Sequence, residues 1–144
     1  MSDLAEVKAA VTGCQKAAPG VSIVTTMTFD TKGRTMMGTT PEKAANTLAG
    51  LGVIGFGANC GNGPQEIETV IGKMHAATPQ GTLVAKANAG LPHIEHGVAV
   101  YDAKPADMGV YARQVLQNGA RIIGACCGST PAHIKAICEA LQTE

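Results

Sequence analysis

The chain has 144 residues, of which 45% are hydrophobic and 3% aromatic, and its eleven basic residues balance eleven acidic ones. A neutral chain with few rings for base stacking is not expected to bind nucleic acid. No apolar run reaches the roughly 18 residues of a membrane-spanning helix, and no basic, apolar signal pattern opens the chain. We therefore expect one cytoplasmic domain over residues 1–144, with its five cysteines reduced.

A helix is predicted at the start of the chain. Apolar residues from Leu4 to Cys14 recur at the three- and four-residue spacing of one helix face. Ser2 is the predicted N-cap, and the helix is expected to end at Pro19 and Gly20.

Four short runs rich in β-forming residues follow, and each is apolar nearly throughout, as strands buried on both faces of a parallel sheet tend to be. Each segment after a run places a proline where the first turn of a helix is predicted. This βα alternation predicts a parallel sheet, either open or part of a barrel, and periodicity does not distinguish the two. The runs are residues 21–27, 53–59, 82–88 and 120–126.

Polar and sulfur side chains stand where the predicted strands end. Asn59 and Cys60 close the second strand, Asn88 closes the third, and Cys126 and Cys127 close the fourth. Because the carboxyl ends of parallel strands share one face, these side chains are expected to converge there. Three thiolates suit zinc and leave one tetrahedral position open, as catalytic zinc sites do.

Other interpretations of the sulfur and imidazole side chains are open at this point. A buried cysteine often serves only as a small hydrophobic side chain, and the adjacent pair of cysteines is also compatible with a redox-active disulfide. His93 and His96 lie in a predicted loop and offer an alternative metal site. His75 and His133 are predicted to lie on helix surfaces.

Four blocks around the predicted strand ends form a recognisable set. They are Gly-Ala-Asn-Cys at 57–60, Gly-Pro at 63–64, Asn-Ala-Gly at 88–90 and Gly-Ala-Cys-Cys-Gly-Ser-Thr-Pro at 124–131. In this order and spacing they resemble the homocysteine S-methyltransferase family. A further segment, at residues 28–39, resembles the branch that contains the homocysteine-binding domain of cobalamin-dependent methionine synthase.

The resemblance implies an activity and a site. It implies that Cys60, Cys126 and Cys127 bind Zn²⁺ and that the thiol of homocysteine, or of a similar small thiol, is methylated to give methionine. The implied methyl donor is methylcobalamin or another corrinoid, with a folate-linked donor as the alternative. Asn59 and Asn88 are predicted to contact the substrate, unless they only satisfy backbone groups.

The resemblance also implies an α/β fold that is half of a (β/α)₈ TIM barrel. It covers the last four βα units and the helix that precedes them, whereas a full barrel takes about 250 residues. Four strands alone would leave two open sheet edges. We therefore expect a partner, either a complementary half-barrel chain or a second copy of this one. The alternative function is a zinc-binding half-barrel that is inactive alone.

Overall fold

The computed structural model describes residues 1–142, and this part of the chain contains five helices and six strands. The longest helices have 14 residues, and within this part no helix is long and apolar enough to cross a bilayer. The helices are α1 (Leu4–Ala17), α2 (Pro41–Ala49), α3 (Pro64–Ala77), α4 (Pro105–Gln117) and α5 (Pro131–Gln142). The strands are β1 (Val24–Met27), β2 (Gly55–Cys60), β3 (Leu83–Ala87), β4 (Pro92–Glu95), β5 (Val98–Tyr101) and β6 (Ala120–Ala125).

A parallel sheet forms the centre of the fold, with strand order β1-β2-β3-β6. The order follows the chain without reversal, which distinguishes it from a doubly wound sheet. Helices α2 to α5 pack side by side in chain order, each against the next, and they contact strands β2, β3 and β6 of the sheet. The wall of a barrel is built in this way. The predicted fold class, one helix followed by four βα units of a half-barrel, is thereby confirmed.

The register of the sheet brings the strand ends level with one another. Cys60 pairs with Ala87, and Ala87 pairs with Ala125, so the three residues form one row across β2, β3 and β6. Cys126 and Cys127 follow directly after this row, at the same edge as Cys60.

The starts of the helices follow the sequence closely. Proline begins α2 to α5 as predicted, because the first helical position needs no N–H donor. Thr40 caps α2, its Oγ1 accepting the N–H of Lys43 at 3.2 Å. The prediction for α1 is wrong by one residue. Its N-cap is Asp3 rather than Ser2, and the Asp3 carboxylate accepts the N–H of Ala5 at 2.7 Å.

Burial differs between the central and the edge strands. The expectation that strands are buried on both faces holds for β2 and β3. It is wrong for β1 and β6, where Val24 is 47% and Ile122 is 42% exposed, because each of these strands has a sheet neighbour on one side only. The core lies between the sheet and the helices, and its largest fully buried side chains include Met27, Phe29, Leu48, Ile67 and Tyr111.

The segment between β3 and α4 is a β-hairpin, where a loop was predicted. Strands β4 and β5 pair antiparallel from Pro92–Tyr101 to Glu95–Val98. His96 and Gly97 form the two-residue turn, and both have positive φ, at 50° and 80°. That conformation suits a tight hairpin because it matches the twist of the strands.

Candidate metal centre

A tight turn at the end of β2 presents the first cysteine. Cys60 and Gly61 both have positive φ, at 60° and 65°, which is uncommon for a residue other than glycine. The carboxylate of Glu66 holds the turn by accepting the N–H of Asn62 at 2.7 Å and that of Gly33 at 3.1 Å. A Cβ at Gly61 would lie 2.9 Å from this carboxylate. It would also lie 3.0 Å from the backbone carbonyl oxygen of Phe29. This backbone contact and the positive φ together favour glycine beside the cysteine.

A second turn, after β6, carries the adjacent pair of cysteines. Cys126 donates its N–H to the carbonyl of Ala87 at 2.8 Å, which extends the pairing of β3 and β6. The carbonyl of Cys127 accepts the N–H of Ala89 at 2.9 Å. The turn is thus fixed to the segment that follows β3.

The two turns bring three sulfur atoms together. The Sγ atoms of Cys60, Cys126 and Cys127 all lie within 4.8 Å of one another, and those of Cys60 and Cys126 are 2.9 Å apart. Over residues 1–142 this is the one group of three or more potential His, Cys, Asp or Glu ligands so close together. Zn–S bonds of about 2.3 Å place sulfurs that share an ion roughly 4 Å apart. Three thiols this close could therefore hold zinc, with the Cys60 and Cys126 sulfurs moving apart to share the ion. Zinc binding itself stays a prediction.

The alternatives to a cysteine metal site receive no support from the geometry. All five cysteines are free thiols, including the adjacent pair. His93 lies 3.0 Å from a carboxylate oxygen of Glu95 and 3.5 Å from one of Asp102. Neither His93 nor His96 joins a group of three potential ligands within the described residues.

The two half-buried thiols differ in acidity. Burial raises the pKa of Cys60 to about 11, and the hydrogen bond to the Cys126 thiol acts in the same direction. Burial opposes ionisation of Cys126 as well. Its hydrogen bonds with the Cys60 thiol and with the backbone and thiol of Cys127 outweigh burial, and they lower its pKa. In the metal-free chain Cys126 therefore ionises first.

Alkylation of the metal-free chain should reflect this order. The thiolate is the reactive form, so iodoacetamide is expected to modify Cys126 well before Cys60 between about pH 7 and 9. Peptide mass spectrometry after timed labelling of chelator-treated protein measures both rates. In denaturant the difference should vanish, since both thiols return to a pKa of about 8.5. Equal rates in the folded chain would contradict the assignment.

The two predicted substrate residues both support the cysteine turns. The side-chain amide of Asn59 donates to Cys60 Sγ at 3.1 Å. Asn88 joins the two turns, donating to the Gly61 carbonyl at 3.1 Å and accepting the N–H of Cys127 at 3.1 Å. Among residues 1–142 the Asn59 side chain forms its hydrogen bonds through the amide nitrogen, and none through the carboxamide oxygen. Substrate contact by either residue stays a prediction.

Sequence reasoning missed a histidine close to the cysteine pair. His133 was expected on a helix surface, but it is only 8% exposed and forms hydrogen bonds through both ring nitrogens. The Thr-Pro-Ala-His pattern at 130–133 carries a signal for this, because the third residue after an N-cap often bonds back to the cap. His75, also expected at the surface, is half-buried.

Comparisons with known proteins agree with one another. The family model described as homocysteine S-methyltransferase matches residues 1–141. Methionine synthase from Mycobacterium tuberculosis is 31% identical over 146 aligned residues, and that from Mycobacterium leprae is 30% identical. Each alignment covers 96% of this chain and 12% of the relative.

Solved structures show the same fold. The metallated form of the homocysteine methyltransferase MmuM from Escherichia coli superposes with a TM-score of 0.72 at 24% identity, over 95% of this chain and 41% of that one. The apo form gives a TM-score of 0.75, over 96% of this chain and 47% of that one. The chain thus spans less than half of these barrels and a small part of the methionine synthases.

Proposed function

Because the chain belongs to the homocysteine S-methyltransferase family, we propose that it carries the zinc site for methyl transfer to the thiol of homocysteine, giving methionine. The observation that carries the proposal is the convergence of the Cys60, Cys126 and Cys127 thiols at the carboxyl edge of the sheet. The names of the relatives, methionine synthase and homocysteine methyltransferase, support the choice of substrate.

The residues of this chain would divide the work of binding and orientation. Cys60, Cys126 and Cys127 would hold the metal, leaving a fourth position for the substrate sulfur. When bound, zinc would deprotonate that thiol and keep it nucleophilic at neutral pH. Cys127 is exposed while Cys60 and Cys126 are half-buried, so the substrate has an approach from solvent. The carboxamide oxygen of Asn59 is the proposed acceptor for a substrate N–H.

The methyl donor is proposed to be methylcobalamin. The substrate sulfur would form the new S–CH₃ bond while the corrinoid keeps the electron pair of the bond that breaks. The resemblance of residues 28–39 to cobalamin-dependent methionine synthase supports this donor, and the two methionine synthase relatives are consistent with it. A folate-linked donor is the alternative.

A zinc-binding half-barrel that needs a partner is the second candidate function. Strands β1 and β6 each lack a sheet neighbour on one side within residues 1–142, and apolar side chains on both are exposed, as at Val24 and Ile122. Exposed apolar edges favour pairing with another chain. The proposed partner is a complementary half-barrel, with a second copy of this chain as the alternative.

A methyl-transfer assay separates the two candidates. Zinc-loaded chain is incubated with homocysteine and methylcobalamin, alone and with an added first half-barrel from the same family, and methionine is measured by mass spectrometry. The Cys127→Ala variant is the matched control. Methionine from the chain alone would support an enzyme that is complete in itself. Methionine only from the mixture would support the half-barrel. Its absence from both, with zinc bound, would contradict methyl transfer.

A further inference from the structure

His133 lies in the first turn of α5, six residues after Cys127, and is almost fully buried. Its Nδ1 accepts the N–H of Thr130 at 3.0 Å. An Nδ1 that accepts a backbone N–H carries no proton, so the hydrogen of the neutral ring is on Nε2. Nε2 lies 3.0 Å from the carbonyl oxygen of Ala103 and therefore donates to it.

The bond to Ala103 completes a closed series of hydrogen bonds around the cysteine pair. The N–H of Ala103 donates to the carbonyl of Ala89 at 3.0 Å, and the N–H of Ala89 donates to the carbonyl of Cys127 at 2.9 Å. From Cys127 the chain runs through Thr130 back to His133. The turn that carries two of the three thiols is thus tied to residues 89 and 103.

Residues 89 and 103 flank the β4–β5 hairpin, so the same series fixes the base of the hairpin to the cysteine turn. A second contact joins the two parts at Gly128, where a Cβ would overlap the ring of Tyr101 at the end of β5. The hairpin base and the cysteine turn therefore form one packed unit. Within this unit, His133 supplies the side-chain hydrogen bonds to Thr130 and Ala103.

We propose that His133 is a positioning residue for the metal centre, and that its Nε2–H, by binding the Ala103 carbonyl, sets the position of the Cys126–Cys127 turn relative to Cys60. The bond at Nδ1 is local, because it spans three residues and caps α5. The bond at Nε2 reaches a different element, thirty residues away in the chain. This proposal rests on the proposed metal site, but it does not require methyl transfer.

Two conservative variants of His133 distinguish the roles of its two ring nitrogens. His133→Asn places an acceptor near Nδ1, so it keeps the bond to Thr130 and loses the one to Ala103. His133→Gln places an amide N–H near Nε2 and keeps the bond to Ala103. We expect the His133→Gln variant to bind metal as the unaltered chain does. The His133→Asn variant should bind zinc at least tenfold more weakly, within the usual range for groups that orient metal ligands.

The readouts are zinc competition with a chromophoric chelator and the visible spectrum of the chain loaded with Co²⁺, with circular dichroism as a check on folding. His75→Asn on α3 is the matched control, since His75 Nδ1 has no partner within residues 1–142, and it should change neither readout. If the His133→Asn variant has the same spectrum and affinity as the unaltered chain, the proposal is overturned. Equal losses in the His133→Asn and His133→Gln variants would overturn it too. Failure of the unaltered chain to bind either metal would overturn the metal site itself.

Discussion

Alanine at any one of Cys60, Cys126 and Cys127 is expected to release zinc from the purified chain. Each change removes one of three thiolates and leaves too few protein ligands for a stable site. Structural zinc sites are worth about 10–16 kcal/mol in total, so the loss of one ligand should cost at least about 3 kcal/mol, or more than a hundredfold in affinity. Metal analysis after gel filtration, with chelator competition, measures the loss.

Two further cysteines provide matched controls for this experiment. Cys14 on α1 and Cys138 on α5 are both exposed and lie outside the sulfur cluster. Their alanine variants should keep the zinc content of the unaltered chain. If all three cluster variants keep full zinc, or if a control variant loses it, the assignment of the ligands is wrong.

Alanine at Gly57 is expected to destabilise the fold strongly. Gly57 lies in the middle of β2 and pairs with Val84 on β3. A Cβ at this position would overlap the backbone carbonyl of Val84, which has no alternative rotamer to adopt. Overpacking a central strand against backbone should lower the free energy of unfolding by about 3 kcal/mol or more. Urea unfolding followed by circular dichroism measures the change.

The same substitution at Gly13 is the control. Gly13 lies within α1, and a Cβ there would meet no atom within 4 Å. Alanine is the better helix former, so Gly13→Ala should raise the free energy of unfolding by about 0.5–1 kcal/mol. A Gly57→Ala chain as stable as the Gly13→Ala chain would contradict the register of β2 on β3.

Much of the fold is encoded in local sequence. Proline at the first helical position predicted the starts of α2 to α5, and apolar runs of strand length predicted the four strands of the sheet. The strand bounds differ from the predicted ones by at most three residues. These signals are local. A proline favours the first turn of a helix through its own fixed φ and its lack of an N–H, and a strand buried in a parallel sheet is recognised by its own run of apolar side chains. The apolar periodicity does not distinguish the wall of a barrel from an open sheet, and only the family resemblance favoured the barrel. The strand order then decided between the two.

The sequence predicts which residues form the cysteine cluster but not the geometry of the cluster. Its members could be predicted because parallel strands end at one edge, and Cys60, Cys126 and Cys127 each stand at the end of a strand. Their separations could not, since these depend on the left-handed turn at Cys60 and on the register that aligns it with Ala125. The difference in pKa between Cys60 and Cys126 also depends on the tertiary structure, because the hydrogen bond between the two thiols acts on them in opposite directions.

The sequence alone thus determined the order of the elements, which depends on residues close together in the chain. It also determined which thiols share an edge, because each of them stands at the end of a strand in a parallel sheet. The tertiary structure decided how the site is held. Asn88 joins turns that lie 27 and 39 residues away. Nε2 of the buried His133 forms its hydrogen bond with the carbonyl of Ala103, thirty residues earlier. No local pattern specifies a hydrogen-bond partner so distant in sequence, since only folding brings the two groups together.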